Sequence, residues 1–241
     1  MTHPKRAAAA TKRDAPAKRR TQAERRAGTI RRLIDAATRV LVEVGYGAAS
    51  VQRICERAGV SQGALFRHFP TREALLVAVG DDVGRTLLAR YRGEFTRVGR
   101  RGERTAAAGD DEERLVIAMR LLRSACRSDL NQAWYELTMA ARTNDALRAA
   151  LAPASKAYHD DIEALARELL PDVAGAFDAL RFAAIVDTIV TLFDGEALHR
   201  MVLQKPRFDE ARFELLTAWI RAIRPARPLR DGRRATSSRS S

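Results

Sequence analysis

The stretch AGVSQGALFRHF, residues 58–69, sets two glycines and a serine within six positions and follows them with two aromatic residues, an arginine and a histidine. Just before it, Val51, Ile54, Cys55 and Ala58 recur at i, i+3, i+4 and i+7, the spacing of one apolar helix face, and Ser50 stands where a helix N-cap belongs. Gly59 can take the left-handed conformation that closes a helix, Val60 can turn inward as an anchor, and Ser61 can cap a new helix beginning at Gln62. Two helices joined by so short a turn cross steeply, which is the helix-turn-helix arrangement. In the second helix Leu65 and Phe69 lie one turn apart and pack inward, directing Arg67 outward with Gly63 and Ala64 beside it. A small residue near a helix N-terminus admits close approach, and the unpaired N–H groups there favour phosphate. Pro70 stops this helix, Thr71 caps the next, and Glu73 suits its positive end.

Working outward, nearly everything else reads as helix. Upstream, Ile30, Leu33, Ile34, Ala37, Val40, Leu41 and Val44 recur at helical spacing until Gly45 supplies a stop. Downstream, Leu75, Val79, Val83, Leu87, Tyr91, Phe95 and Val98 predict a long helix, weakened by Gly84 and Gly93, before the polar stretch GRRGERTAAAGDDE. A helix over about 112–127 has apolar residues on more than one side, and Trp134, Leu137 and Ala141 mark the next. A kinked helix passes Pro153 and ends before Pro171. Two further helices, within 173–202 and 208–223, each carry two apolar faces; in the last, Leu215 and Trp219 flank the core set Phe213, Leu216 and Ile220. A second apolar face needs a partner, so these helices are candidates for a subunit interface. The fold class expected is all-α.

The net charge of +13 is unevenly placed. Residues 1–26 carry +7, residues 27–72 carry +4, residues 73–223 carry −3 and residues 224–241 carry +5. A positive N-terminal third on a near-neutral body points to an anionic polymer as partner. The low-complexity segments 1–26 and 224–241 are expected to be a disordered basic arm and tail. A mean hydropathy of −0.30, no apolar run long enough to cross a membrane and an N-terminus without a secretory pattern lead to the expectation of a cytoplasmic protein with no membrane partner. Cys55 and Cys126 imply no disulfide framework.

The run IDAATRVLVEVGYGAASVQRICERAGVSQGALFRHFPTREALLVAV resembles the DNA-binding region of the TetR (tetracycline repressor) family of bacterial transcriptional regulators. Gly45-Tyr46, Ile54, Ala58-Gly59-Val60-Ser61, Gly63, Leu65, His68-Phe69 and Arg72-Glu73-Ala74-Leu75 carry the likeness, in order and without gaps. The resemblance implies a DNA-binding domain over 27–87, with its helix-turn-helix at 50–69, and a helical regulatory and dimerisation domain over 88–223. It further implies a homodimer on a double-stranded, palindromic operator, released by a small-molecule effector. By position, Ser61, Gln62, Gly63, Ala64, Phe66, Arg67, His68 and Arg72 are the expected DNA contacts, with Ser50 in support. Gln62 could pair with an adenine edge and Ala64 touch a thymine methyl, while Arg67, His68 and Arg72 could meet phosphates. Phe66 stands where the family usually has tyrosine, and Arg53 where an acidic residue is common.

For the effector, Trp134, Met139, Tyr158, Phe182 and Asp187 are the expected pocket residues, since apolar and aromatic walls with few polar groups are what such sites use. Asp187 sits among apolar neighbours in sequence and reads as a buried carboxylate, which needs a partner: a ligand, or a group across a dimer interface. His159-Asp160-Asp161 reads as a wet helix face. No catalytic motif, metal-ligand spacing or phosphate-cradling glycine loop is present, so neither enzyme activity nor a cofactor is expected. The alternatives are a basic architectural protein coating DNA without sequence choice, which leaves the two-faced helical domain unexplained, and a regulator without a small-molecule ligand.

Overall fold

The computed structural model describes residues 21–102 and 111–223, and all of its regular structure there is helical. The basic arm and tail expected from composition lie outside these residues, apart from 21–26. Those residues are not arm: Thr21 Oγ1 accepts from the Glu24 N–H at 3.2 Å while the Glu24 carboxylate accepts from the Thr21 N–H at 2.8 Å. This capping box starts α1 (Gln22–Ala48) well upstream of the first apolar residue of its stripe.

The head consists of α1, α2 (Val51–Ala58), α3 (Gln62–His68) and the start of α4 (Arg72–Gly102). Its core is Leu33, Ala37 and Leu41 of α1, Ile54 of α2, Leu65 of α3, and Leu75 and Val79 of α4, all fully buried. The turn between α2 and α3 follows the sequence reading. Ser50 and Ser61 cap their helices through the N–H groups of Arg53 and Ala64, each at 3.2 Å. Gly59 has φ +64° and ψ +40°, the left-handed cap that a side chain would strain.

α4 runs on into the start of the polar stretch, as far as Gly102, and as one rod it belongs to both halves of the molecule. It packs closely on α6 (Asp129–Ala141) and α7 (Asp145–Leu169): a Cβ at Gly80 would lie 3.1 Å from the Trp134 ring, and one at Gly84 3.0 Å from Tyr158. Gly80 and Gly84 therefore mark contact with aromatic residues, whereas a Cβ at Gly93 would meet nothing within 4 Å. α5 (Asp111–Cys126), α8 (Pro171–Ala174), α9 (Ala179–Arg200) and α10 (Pro206–Ile223) complete the body. α7 continues through Pro153, and a single turn, α8, follows from Pro171.

α5, α9 and α10 are joined by a buried ionic network. Arg123 meets Glu196 through two nitrogens, at 2.7 and 3.0 Å, and donates to the Asp209 carbonyl. Arg127 also pairs with Glu196, and Arg200 with Asp209. Burial pushes the Glu196 carboxyl up, but the hydrogen bonds from Arg123 and Arg127 outweigh it and hold that carboxyl below its ordinary range. On the far side α10 leaves Phe208, Leu215 and Trp219 exposed, a second apolar stripe with Leu215 two turns beyond Phe208 and Trp219 one turn further.

Candidate nucleic-acid interface and regulatory cavity

The exposed side of α3 is made of Gln62, Gly63, Phe66 and Arg67, with Ser61 open at its start and Ala64 half-buried between them. A Cβ at Gly63 would meet nothing within 4 Å, so the missing side chain serves no internal packing. Ser61 caps as an acceptor, which leaves its hydroxyl hydrogen available to an outside oxygen. Arg67 is exposed; Arg57 on α2 is tied to Glu43 of α1. His68 is half-buried, and its Nδ1 is enclosed without a hydrogen-bond partner among the described residues.

Arg72 is a correction. Its guanidinium turns inward, donating from Nε to the Ala49 carbonyl at 3.0 Å and from Nη2 to the Tyr46 carbonyl at 2.6 Å, and it lies 4.2 Å over the Tyr46 ring. Carbonyls at the end of α1 carry partial negative charge, which a guanidinium complements, although that of Tyr46 also accepts from the Ala49 N–H at 3.3 Å. Arg72 thus joins α4 to α1 through its Nε and Nη2 donors.

Tyr46 ties the head to the body. Its N–H donates to Glu136 Oε2 of α6 at 2.8 Å, its carbonyl accepts from Arg72, and its hydroxyl accepts from Asn144 Nδ2 at 3.3 Å. The preceding Gly45, with φ +73° and ψ 171°, breaks α1 so that this N–H points at the carboxylate. Head and body meet at this point. The Gly45-Tyr46 pair was visible in the sequence, but its partners lie 90 and 98 positions away, and no local pattern names them.

A cavity of about 80 Å³ lies in the body, walled by α4, α5, α7, α8, α9 and α10. Of the five expected pocket residues, Tyr158 and Phe182 line it. Trp134 is one layer back, its ring 5.6 Å from that of Tyr158. Met139 is half exposed on α6 and does not line the cavity, because it stands two residues, about 200° of helix, beyond the fully buried Leu137. Asp187 is likewise corrected: it is exposed on α9 beside Ala184, Thr188 and Thr191, while Ile185 and Ile189 take the inward positions. Its apolar neighbours in sequence are on the other side of the helix. Tyr135, near the cavity, donates to Asp194 at 2.6 Å.

The geometry of the head is matched by its relatives. The model for bacterial regulatory proteins of the tetR family matches residues 33–79, and that for the BetI-type transcriptional repressor C-terminal domain matches 110–225. An uncharacterised HTH-type transcriptional regulator of Mycobacterium tuberculosis is 37% identical over 203 residues, 84% of this chain and 98% of the relative. The chain belongs to the TetR family. As a TetR-family protein it is a DNA-binding transcriptional regulator. The regulator CymR of Pseudomonas putida is 51% identical over 61 residues, 25% of this chain and 30% of CymR. Among solved structures, a TetR-family regulator from Mesorhizobium loti superposes with a TM-score of 0.61 at 19% identity, over 82% of this chain and 96% of that one. The multidrug binding protein EbrR, crystallised with imidazole, gives 0.58 at 21% identity, over 84% and 98%. These two structures share the fold. Among the described residues no helix is long and apolar enough to cross a membrane.

Proposed function

We propose that this protein is a homodimeric repressor that binds a palindromic operator through α3 and is released by a small molecule held in the body. The observation that carries the reading is the outer face of α3, where Gln62, Gly63, Phe66 and Arg67 face solvent with Ser61 at the helix start. Gln62 reads a base edge, Gly63 lets the backbone approach the groove, and Arg67 and the N-terminal N–H groups bind phosphate. The exposed stripe of Phe208, Leu215 and Trp219 supports pairing of two copies. Two heads paired this way would enter major grooves about 34–36 Å apart.

Electrophoretic mobility shift on the DNA upstream of its own gene tests this. A shift resistant to nonspecific competitor, weakening with a log–log salt slope of about −5 or steeper, is expected. A shift abolished by competitor would instead describe a coating protein.

A further inference from the structure

The cavity in the body has a chemistry that narrows the effector proposed above, and the inference rests on that reading. Its walls come from α4, α5, α7, α8, α9 and α10, and every lining side chain is hydrocarbon or thioether except Tyr91 and Tyr158. The Tyr91 hydroxyl already donates to the Ala118 carbonyl at 3.0 Å. The Tyr158 hydroxyl has no hydrogen-bond partner among the described residues, although its ring is held between Gly84 and Trp134. Charged groups near the walls are engaged: Arg167, stacked on Phe182, pairs with Glu163, and Asp194 accepts from Tyr135 and Asn131. An ion entering this space would lose its hydration and meet no opposite charge in the lining, a cost that no hydrocarbon contact offsets.

We infer that the cavity takes an uncharged, predominantly hydrocarbon effector with a single hydroxyl or carbonyl, which pairs with the Tyr158 hydroxyl. At about 80 Å³ the space is smaller than the roughly 150 Å³ that holds benzene in an engineered apolar cavity. Any occupant as large as one ring therefore parts the walls as it enters, and apart from the Tyr91–Ala118 hydrogen bond between α4 and α5 the hydrocarbon lining can separate without orphaning polar groups.

Three probes of one chain length separate the terms: 1-octanol, octanoate and octylammonium, titrated into the full chain at pH 7 by calorimetry. Octanol is expected to bind saturably, one per chain, with both ions at least about ten-fold weaker. Tyr158→Phe is expected to weaken octanol by about two- to ten-fold while leaving octane, followed by its effect on Tm, unchanged. Either ion binding as tightly as octanol, no saturable binding of octanol, or a Tyr158→Phe variant with undiminished octanol affinity overturns the inference. Operator binding by the ligand-free protein, measured on the same preparation, keeps the two readings apart. Its absence removes the repressor reading, whereas intact operator binding released by a charged compound but not by octanol removes only the effector class.

Discussion

Replacing Gly45 by alanine acts on the junction between head and body through two separable effects. The backbone at φ +73° and ψ 171° lies where essentially only glycine is found, and holding a side chain there costs about 1–3 kcal/mol. The new Cβ would also lie 3.0 Å from Glu136 Oε2, so the carboxylate must retreat by a few tenths of an ångström and lengthen its 2.8 Å bond from the Tyr46 N–H. Part of the roughly 1.5–3 kcal/mol of a hydrogen bond to a charged group is lost with it. Together these give about 2–4 kcal/mol, or a fall in Tm of roughly 4–16 °C for a body of this size. Urea unfolding of Gly45→Ala, Glu136→Ala and the double variant separates the two effects. With the carboxylate gone only the backbone strain remains, so the double variant should lose about 0.5–2 kcal/mol less than the two singles summed. A Gly45→Ala protein within 0.5 kcal/mol of the parent would refute the claim that the break in α1 is conformationally enforced.

Gly63→Trp should leave unfolding unchanged within about 0.5 kcal/mol, because nothing in the protein occupies that space, yet abolish the mobility shift. Leu215→Asp with Trp219→Asp should convert a dimer into a monomer by light scattering and weaken operator binding at least ten-fold, roughly, through lost bivalency; a dimer that persists would place the interface elsewhere. Glu196→Ala leaves the Arg123 guanidinium buried without its main partner and should cost about 3–5 kcal/mol by urea unfolding. The folded Glu196 carboxyl is held below its ordinary 4.5, so its contribution is complete above that pH and is lost as pH falls through the lower folded value. Acid unfolding of the parent should therefore steepen below about pH 4.5, and Glu196→Ala should flatten that limb.

The head was legible because its signals are local. Ser50, Gly59 and Ser61 each act on N–H groups or dihedrals within three residues, and the stripes through Ile54 and Leu65 need only a helical period. The start of α1 is spelled by the Thr21 and Glu24 capping box, a two-residue signal inside an Arg- and Ala-rich composition that itself points to an arm. Asp187 has apolar neighbours in sequence that are not its neighbours in space, because a 100° step per residue sends them to other faces of the helix. Arg72 carried a cation beside a recognition helix, and only the fold shows the two carbonyls that claim it. The Arg123–Glu196 pair and the Glu136–Tyr46 bond join residues 73 and 90 positions apart, beyond the reach of any periodicity.

α9 is one helix thick, roughly 10–12 Å across with its side chains, and its two sides have different neighbours. Ile185 and Ile189 bound the cavity, while Ala184, Asp187 and Thr188 look outward from positions adjacent in the chain. A substitution that reshapes the inner wall shifts the backbone carrying the outer one, so the two surfaces of this segment change together. The outer face of α3 has no such coupling: a side chain added at Gly63 meets nothing in the protein.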